Sequence, residues 1–110
     1  MIPIISLKEK LSEIAERPWH PIELARVNDQ VARIALCIGE YHWHKHTNED
    51  ELFYILKGEL TIQMKVPYSN ITLHEGKLTV APKGVEHCPK SSQYTYVLMF
   101  EPHILKSRGD

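Results

Sequence analysis

The chain is short of cysteine: Cys37 and Cys88 are its only two. Two are too few for a disulfide framework, and their spacing is not a C-x-x-C pair, so both are expected as buried free thiols. Surplus charge of either sign is also missing, with a formal net charge of −1, a pI near 6.6 and no like-charge run longer than Glu49-Asp50-Glu51. That balance excludes the basic field that nucleic-acid binding needs, and no nucleic-acid partner is expected. Long apolar runs are absent, the longest being a handful of residues against the ~20 that span a bilayer, and no membrane partner is expected. The N-terminus has no basic region followed by an apolar core before Lys8 and Glu9, so the expected location is the cytoplasm. What remains is 110 residues with 43% apolar content, enough for one domain over 1–110 built on one core.

Long helical patterns are missing too. Ser6-Leu7-Lys8-Glu9 reads as a capping box, and Leu7, Leu11, Ile14 and Ala15 recur at helical spacing until Arg17-Pro18. This predicts one short amphipathic helix over about 7–16, laid against a sheet. From there the period changes to two, and a barrel is expected over about 20–102. Pro21 to Val27 reads as a strand, Asn28-Asp29-Gln30 as a turn, and Val31 to His46 as a long extended segment. If its alternation is unbroken, Ala32, Ile34, Leu36 and Ile38 share a face with His42, His44 and His46; a bend at Gly39 would change that phase. Leu52 to Leu56 and Leu60 to Val66 follow, the latter with Leu60, Ile62, Met64 and Val66 inward. Ile71 to Leu73 and Leu78 to Ala81 are short strands, and Tyr94 to Glu101 closes the sheet with Tyr94, Tyr96, Leu98 and Phe100 on one face. Phe53, Tyr94 and Tyr96 are expected in the core, and the tail Lys106 to Asp110 is expected to fray. Short strands separated by Gly and Pro turns argue for an all-β sandwich or barrel.

The chemistry lies in His42-Trp43-His44-Lys45-His46-Thr47-Asn48-Glu49-Asp50-Glu51. On a strand the three histidines point one way and Lys45 the other. Imidazoles at i and i+2, an acid a few residues on and a later histidine, His87, can form a mixed N/O site for a divalent transition metal. Read on residue types alone, the acid could be Glu49, Asp50 or Glu51, and three alternating histidines could equally be a solvated polar patch. Tyr41 and Trp43 fall on the face opposite the histidines.

Gly39-x4-His44-x-His46-x4-Glu51-x6-Gly58 resembles the first motif of the cupin superfamily, and Gly76-x5-Pro82-x-Gly84-x2-His87 resembles the second. The family's leading Gly usually sits one residue further from the first His, and Ser91 stands where the family has Asn. The resemblance spans Gly39 to Ser91 and implies a double-stranded β-helix, or jelly roll, with His44, His46, Glu51 and His87 as metal ligands. Three neutral imidazoles and one carboxylate leave a divalent ion a net charge of about +1 and, in six-coordinate geometry, about two open positions. Fe, Mn, Ni, Co and Zn all suit such a set. The resemblance implies a metal-dependent enzyme acting on a small-molecule ligand inside the barrel, either a sugar or sugar-phosphate isomerase or epimerase, or a dioxygenase. A non-enzymatic binding module is the alternative. The isomerase reading expects basic residues at the cavity mouth, with Lys45, Lys77, Lys83 and Lys90 as candidates, and the dioxygenase reading expects an apolar pocket. His42 is the candidate catalytic group, and exposed aromatics together with the habit of small cupins predict a homodimer.

Overall fold

The computed structural model describes residues 1–110. Helix α1 spans Leu7–Ile14, and Ser6 Oγ accepts the Glu9 N–H at 3.2 Å, so the predicted capping box forms on its N-cap side. It stops two residues before the expected end, where Ala15 takes φ 55°. Eight residues are too few for a helix to persist alone in water, so docking must hold it. Ile14, 1% exposed, supplies that docking against Ile34 and Leu36 of the sheet.

The strands are β1 (Ile22–Val27), β2 (Gln30–Glu40), β3 (Glu51–Lys57), β4 (Glu59–Met64), β5 (Ile71–His74), β6 (Leu78–Ala81) and β7 (His87–Pro102). All pairings are antiparallel, and the sheet runs β1-β2-β7-β3-β6 with β4 joined to β5 and β7. The 16-residue β7 is the hub. Its first residues, His87 to Lys90, pair with Met64 to Thr61 of β4, and its later ones lie between β2 and β3. Passing from one layer to the other, β7 ties both walls of a jelly roll. Ala35, Cys37, Phe53, Ile55, Leu60, Ile62, Val97 and Met99 fill the space between them. Both cysteines are buried free thiols. No helix is long and apolar enough to cross a membrane.

Three sequence expectations change here. The alternation of β2 is broken: its register to β7 shifts between Cys37 and Gly39, and Gly39 takes φ 80°. An inserted residue reverses which side chains face inward. Ala35 and Cys37 therefore share the barrel interior with the histidines, while Ile34 and Leu36 lie outside beneath α1. On β7 the inward residues are Thr95, Val97, Met99 and Glu101, all buried, whereas Tyr94 is 55% exposed and Tyr96 packs against the helix-side cluster. Of the three aromatics expected in the core, Phe53 is there. β4 ends at Met64, leaving Val66 exposed.

The tail is docked rather than frayed. The His103 N–H donates to Asp29 O at 2.9 Å, and the Arg33 guanidinium donates to the carbonyls of His103 and Leu105 at 3.1 and 3.3 Å. Leu105, 3% exposed, anchors the turn that follows. Residues beyond it run back along the histidine segment, where the Asp110 N–H donates to Lys45 O at 3.1 Å.

Candidate metal centre

After Glu40 the chain leaves regular pairing, and a single antiparallel bridge resumes it between His44 and His87. The two residues exchange both backbone hydrogen bonds, at 3.0 and 2.8 Å, which fixes their side chains on the same side of the ladder. Their ring centroids are 4.4 Å apart. The turn Pro82-Lys83-Gly84 is locked onto the same segment: Gly84 N–H donates to His46 O at 2.8 Å and Lys83 N–H to Asp50 Oδ1 at 2.8 Å. Asp50 thus serves the turn and not the cavity. Glu51, the first residue of β3, points inward and is 3% exposed.

One donor atom from each of His44, His46, Glu51 and His87 lies within 4.8 Å of the others. Glu51 Oε1 is 3.3 Å from His46 Nε2 and 3.8 Å from His87 Nε2. Donors that each sit ~2.1 Å from one ion are separated by about 3.0–3.4 Å along an edge of its coordination polyhedron, so these spacings are of the right size. His44 Nδ1 donates to His42 O at 2.9 Å and His87 Nδ1 to Val85 O at 3.0 Å, which leaves each Nε2 as a lone-pair donor. His87 Nε2 and both ring nitrogens of His46 are buried with no hydrogen-bond partner. Buried polar atoms are almost always satisfied, and two orphaned Nε2 atoms converging on one carboxylate fit an ion. The four residues can hold a metal.

Protonation agrees with that chemistry. Burial first, then the neighbouring His87 and His46, lowers the His44 pKa to about 4, so its ring is neutral. Burial alone would raise Glu51, but His46, His87 and Glu101 outweigh it and bring the carboxyl down to about 2. Glu101 goes the other way: burial and the negative charge of Glu51 push it up to about 10, against the pull of Arg33. Arg33 Nη1 stands 3.5 Å from Glu101 Oε1. Glu101 is therefore held protonated by burial and the charge of an ionised Glu51, and local pattern does not reveal it because β7 is apolar on both faces.

Beside His44 and Glu51 opens a narrow cavity of about 40 Å³ in which most lining residues are apolar. Trp19 and Tyr41 stack at 4.8 Å to form one wall, and the Trp19 indole N–H donates to Ile38 O at 3.0 Å. Tyr41, expected on the outer face, sits edge-on to His44 at 5.3 Å because residues 41–43 leave the strand and the alternation between the two is lost. Trp43 does face outward, 41% exposed, with Lys65 Nζ 4.0 Å above its ring. His42 lies outside the cavity lining, its ring against Tyr41 at 3.9 Å and its Nε2 donating to Arg108 O at 3.0 Å. No lysine or arginine lines the cavity: Lys45, Lys77 and Lys83 are exposed, and Lys90 belongs to a separate polar groove with Glu40 and Glu59.

The chain is thus a jelly-roll barrel that gathers three imidazoles and a carboxylate beside a mostly apolar cavity. The Cupin_2 family, described as a cupin domain, matches residues 38–100, and the chain belongs to it. A Bacillus subtilis protein, YdbB, is 38% identical over 78 residues, covering 71% of this chain and 68% of its own. A cupin-2 domain containing protein from Shewanella frigidimarina superposes with a TM-score of 0.85 at 34% identity, over 91% of this chain and 95% of that one. The barrel also matches a hydroquinone 1,2-dioxygenase, PnpCD, solved with Fe3+, at a TM-score of 0.82 and 17% identity over 93% of this chain and 33% of that one; this likeness is one of fold.

Proposed function

We propose that the protein binds a divalent transition metal through His44, His46, Glu51 and His87 and acts as a metal-dependent enzyme on a small ligand in the adjoining cavity. The observation that carries the reading is the pair of buried, unpartnered Nε2 atoms of His46 and His87 turned towards an ionised Glu51. A bound ion of Fe, Mn, Ni, Co or Zn would supply Lewis acidity or redox chemistry at its open positions. The chain's own groups do the rest. The carbonyls of His42 and Val85 hold two rings in the ligating tautomer, so His42 serves as backbone support for His44 and not as a proton-transfer group. The Trp19–Tyr41 stack, Phe53, Val97 and Met99 exclude water from one side of the donors.

Between the two enzyme classes, the absence of any cationic side chain from the lining favours the oxygenase-type reading over sugar-phosphate isomerisation. A phosphorylated sugar needs Lys or Arg within reach, whereas an apolar, aromatic-walled chamber suits a compact planar ligand carrying one or two oxygens. Oxygen uptake by the iron-loaded protein across a panel of small phenols and diols tests this. Uptake with none of them, together with isomerase activity on a sugar phosphate, overturns it. A second copy of the chain is part of the reading: Leu78 and Val80 on the edge strand β6 are 57% and 47% exposed, an apolar edge suited to self-pairing. Light scattering on the purified protein should give twice the chain mass.

A further inference from the structure

His44 and His87 each have one ring nitrogen tied to a backbone carbonyl, but His46 has no such tie. The ring is 2% exposed, its Nε2 faces Glu51 at 3.3 Å, and its Nδ1 has no partner. Two carboxylates stand within reach: one ring nitrogen of His46 and one oxygen each from Glu49 and Asp110 lie within 4.8 Å of one another. Asp110 is held there by the docked tail. Its Oδ1 accepts the Thr47 N–H at 3.0 Å, its own N–H donates to Lys45 O at 3.1 Å, and the Arg108 carbonyl accepts from His42. Gly109, at φ 91°, lets the backbone pass His44 so closely that an added Cβ would lie 2.6 Å from the His44 Cβ. No other residue type fits that crossing.

We infer that Asp110, with Glu49 beside it, accepts a hydrogen bond from His46 Nδ1–H and is the positioning residue of the third imidazole, delivered across the fold by the C-terminal strap. The inference rests on the metal reading above. A histidine whose Nδ1–H meets a carboxylate is fixed in the tautomer that presents Nε2, its ring orientation is set, and it becomes a stronger donor. His44 and His87 obtain the first two effects from carbonyls; His46 obtains all three from the strap. Asp110 lies 64 positions along the chain from His46, so nothing in the local motif announces it.

The test uses the full chain loaded with Co(II), whose visible bands report the ligand field, and measures affinity by competition with a chromophoric chelator. Asp110→Ala should weaken Co(II) binding by about 10–100-fold and shift the bands, while the chelated forms of variant and wild type melt within about 2 °C of each other. Asp110→Asn keeps an oxygen for Thr47 but loses the charge, and should resemble Asp110→Ala; Asp110→Glu should recover most of the affinity. Wild-type affinity in Asp110→Asn, or in Asp110→Ala, overturns the inference. So does a second Co(II) equivalent that disappears in Asp110→Ala, which would make His46, Glu49 and Asp110 a cation site of their own. Loss of Co(II) in His46→Ala with no effect in Asp110→Ala overturns this inference alone, whereas no Co(II) binding by the wild type overturns the metal reading with it.

Discussion

Stripping the metal from this protein should cost it a measurable part of its stability, and the structure sets the size. Three ring nitrogens, His46 Nδ1, His46 Nε2 and His87 Nε2, are buried without partners. Each buried polar atom left unsatisfied costs about 1–3 kcal/mol, and an ion in the centre relieves the two Nε2 atoms. Because an unfolded chain does not assemble the four ligands, the ion stabilises by mass action, giving about 2.7 kcal/mol at a free concentration of 100 times Kd. In a domain of this length, 1 kcal/mol moves Tm by roughly 4–8 °C, so chelation should lower Tm by about 10–20 °C. Circular-dichroism melts of metal-loaded and chelated protein, with metal content read by plasma mass spectrometry, measure it. His46→Ala removes one ligand and two of the orphaned atoms, so its melt should match that of the chelated wild type within a few degrees and no longer respond to metal. Less than about 0.1 equivalent of metal in protein purified without chelator or histidine tag, or stoichiometric metal with no change in Tm, would refute the reasoning.

The buried acid pair makes a prediction in pH. Glu101 stays protonated in the fold up to about 10 while its unfolded counterpart ionises above the ordinary 4.5, so across that window the native state holds the extra proton and stability falls as pH rises. Glu101→Gln, which is neutral at every pH, should therefore stabilise the chelated protein more at about pH 8 than at about pH 5, and an equal effect at both would be the wrong outcome. Gly58→Ala and Gly76→Ala separate two costs, since both glycines have positive φ but only at Gly58 would the new Cβ collide with Thr95 Oγ1 and lie 2.8 Å from Tyr94 O. Urea melts should show a loss of about 1–2 kcal/mol for Gly76→Ala and a further 1–3 kcal/mol for Gly58→Ala. Ile34→Ala empties the seat of α1 beneath Ile14 and should cost about 2–5 kcal/mol, with hydrogen exchange in residues 7–14 rising most.

Much of the site was written in local spacing. His44, His46, Glu51 and His87 stand at intervals that strand alternation and one Pro-Gly turn convert directly into convergence, and the helix announces itself through Ser6 and Glu9 because a capping box is a contact over three residues. What could not be read there depends on contacts between distant segments. Whether Gly39 carries a bulge is decided by pairing with β7, and that single inserted residue chose Ala35 and Cys37 over Ile34 and Leu36 for the interior. Likewise β7 offers two apolar faces of similar character, and only its position between β2 and β3 turned Glu101 towards Glu51. The tail reads as polar and free because its anchors, Arg33 and the histidine segment, lie 63 to 72 positions upstream. Side-chain period is a property of neighbours along the chain; which face is buried, and what meets it there, is a property of the closed barrel.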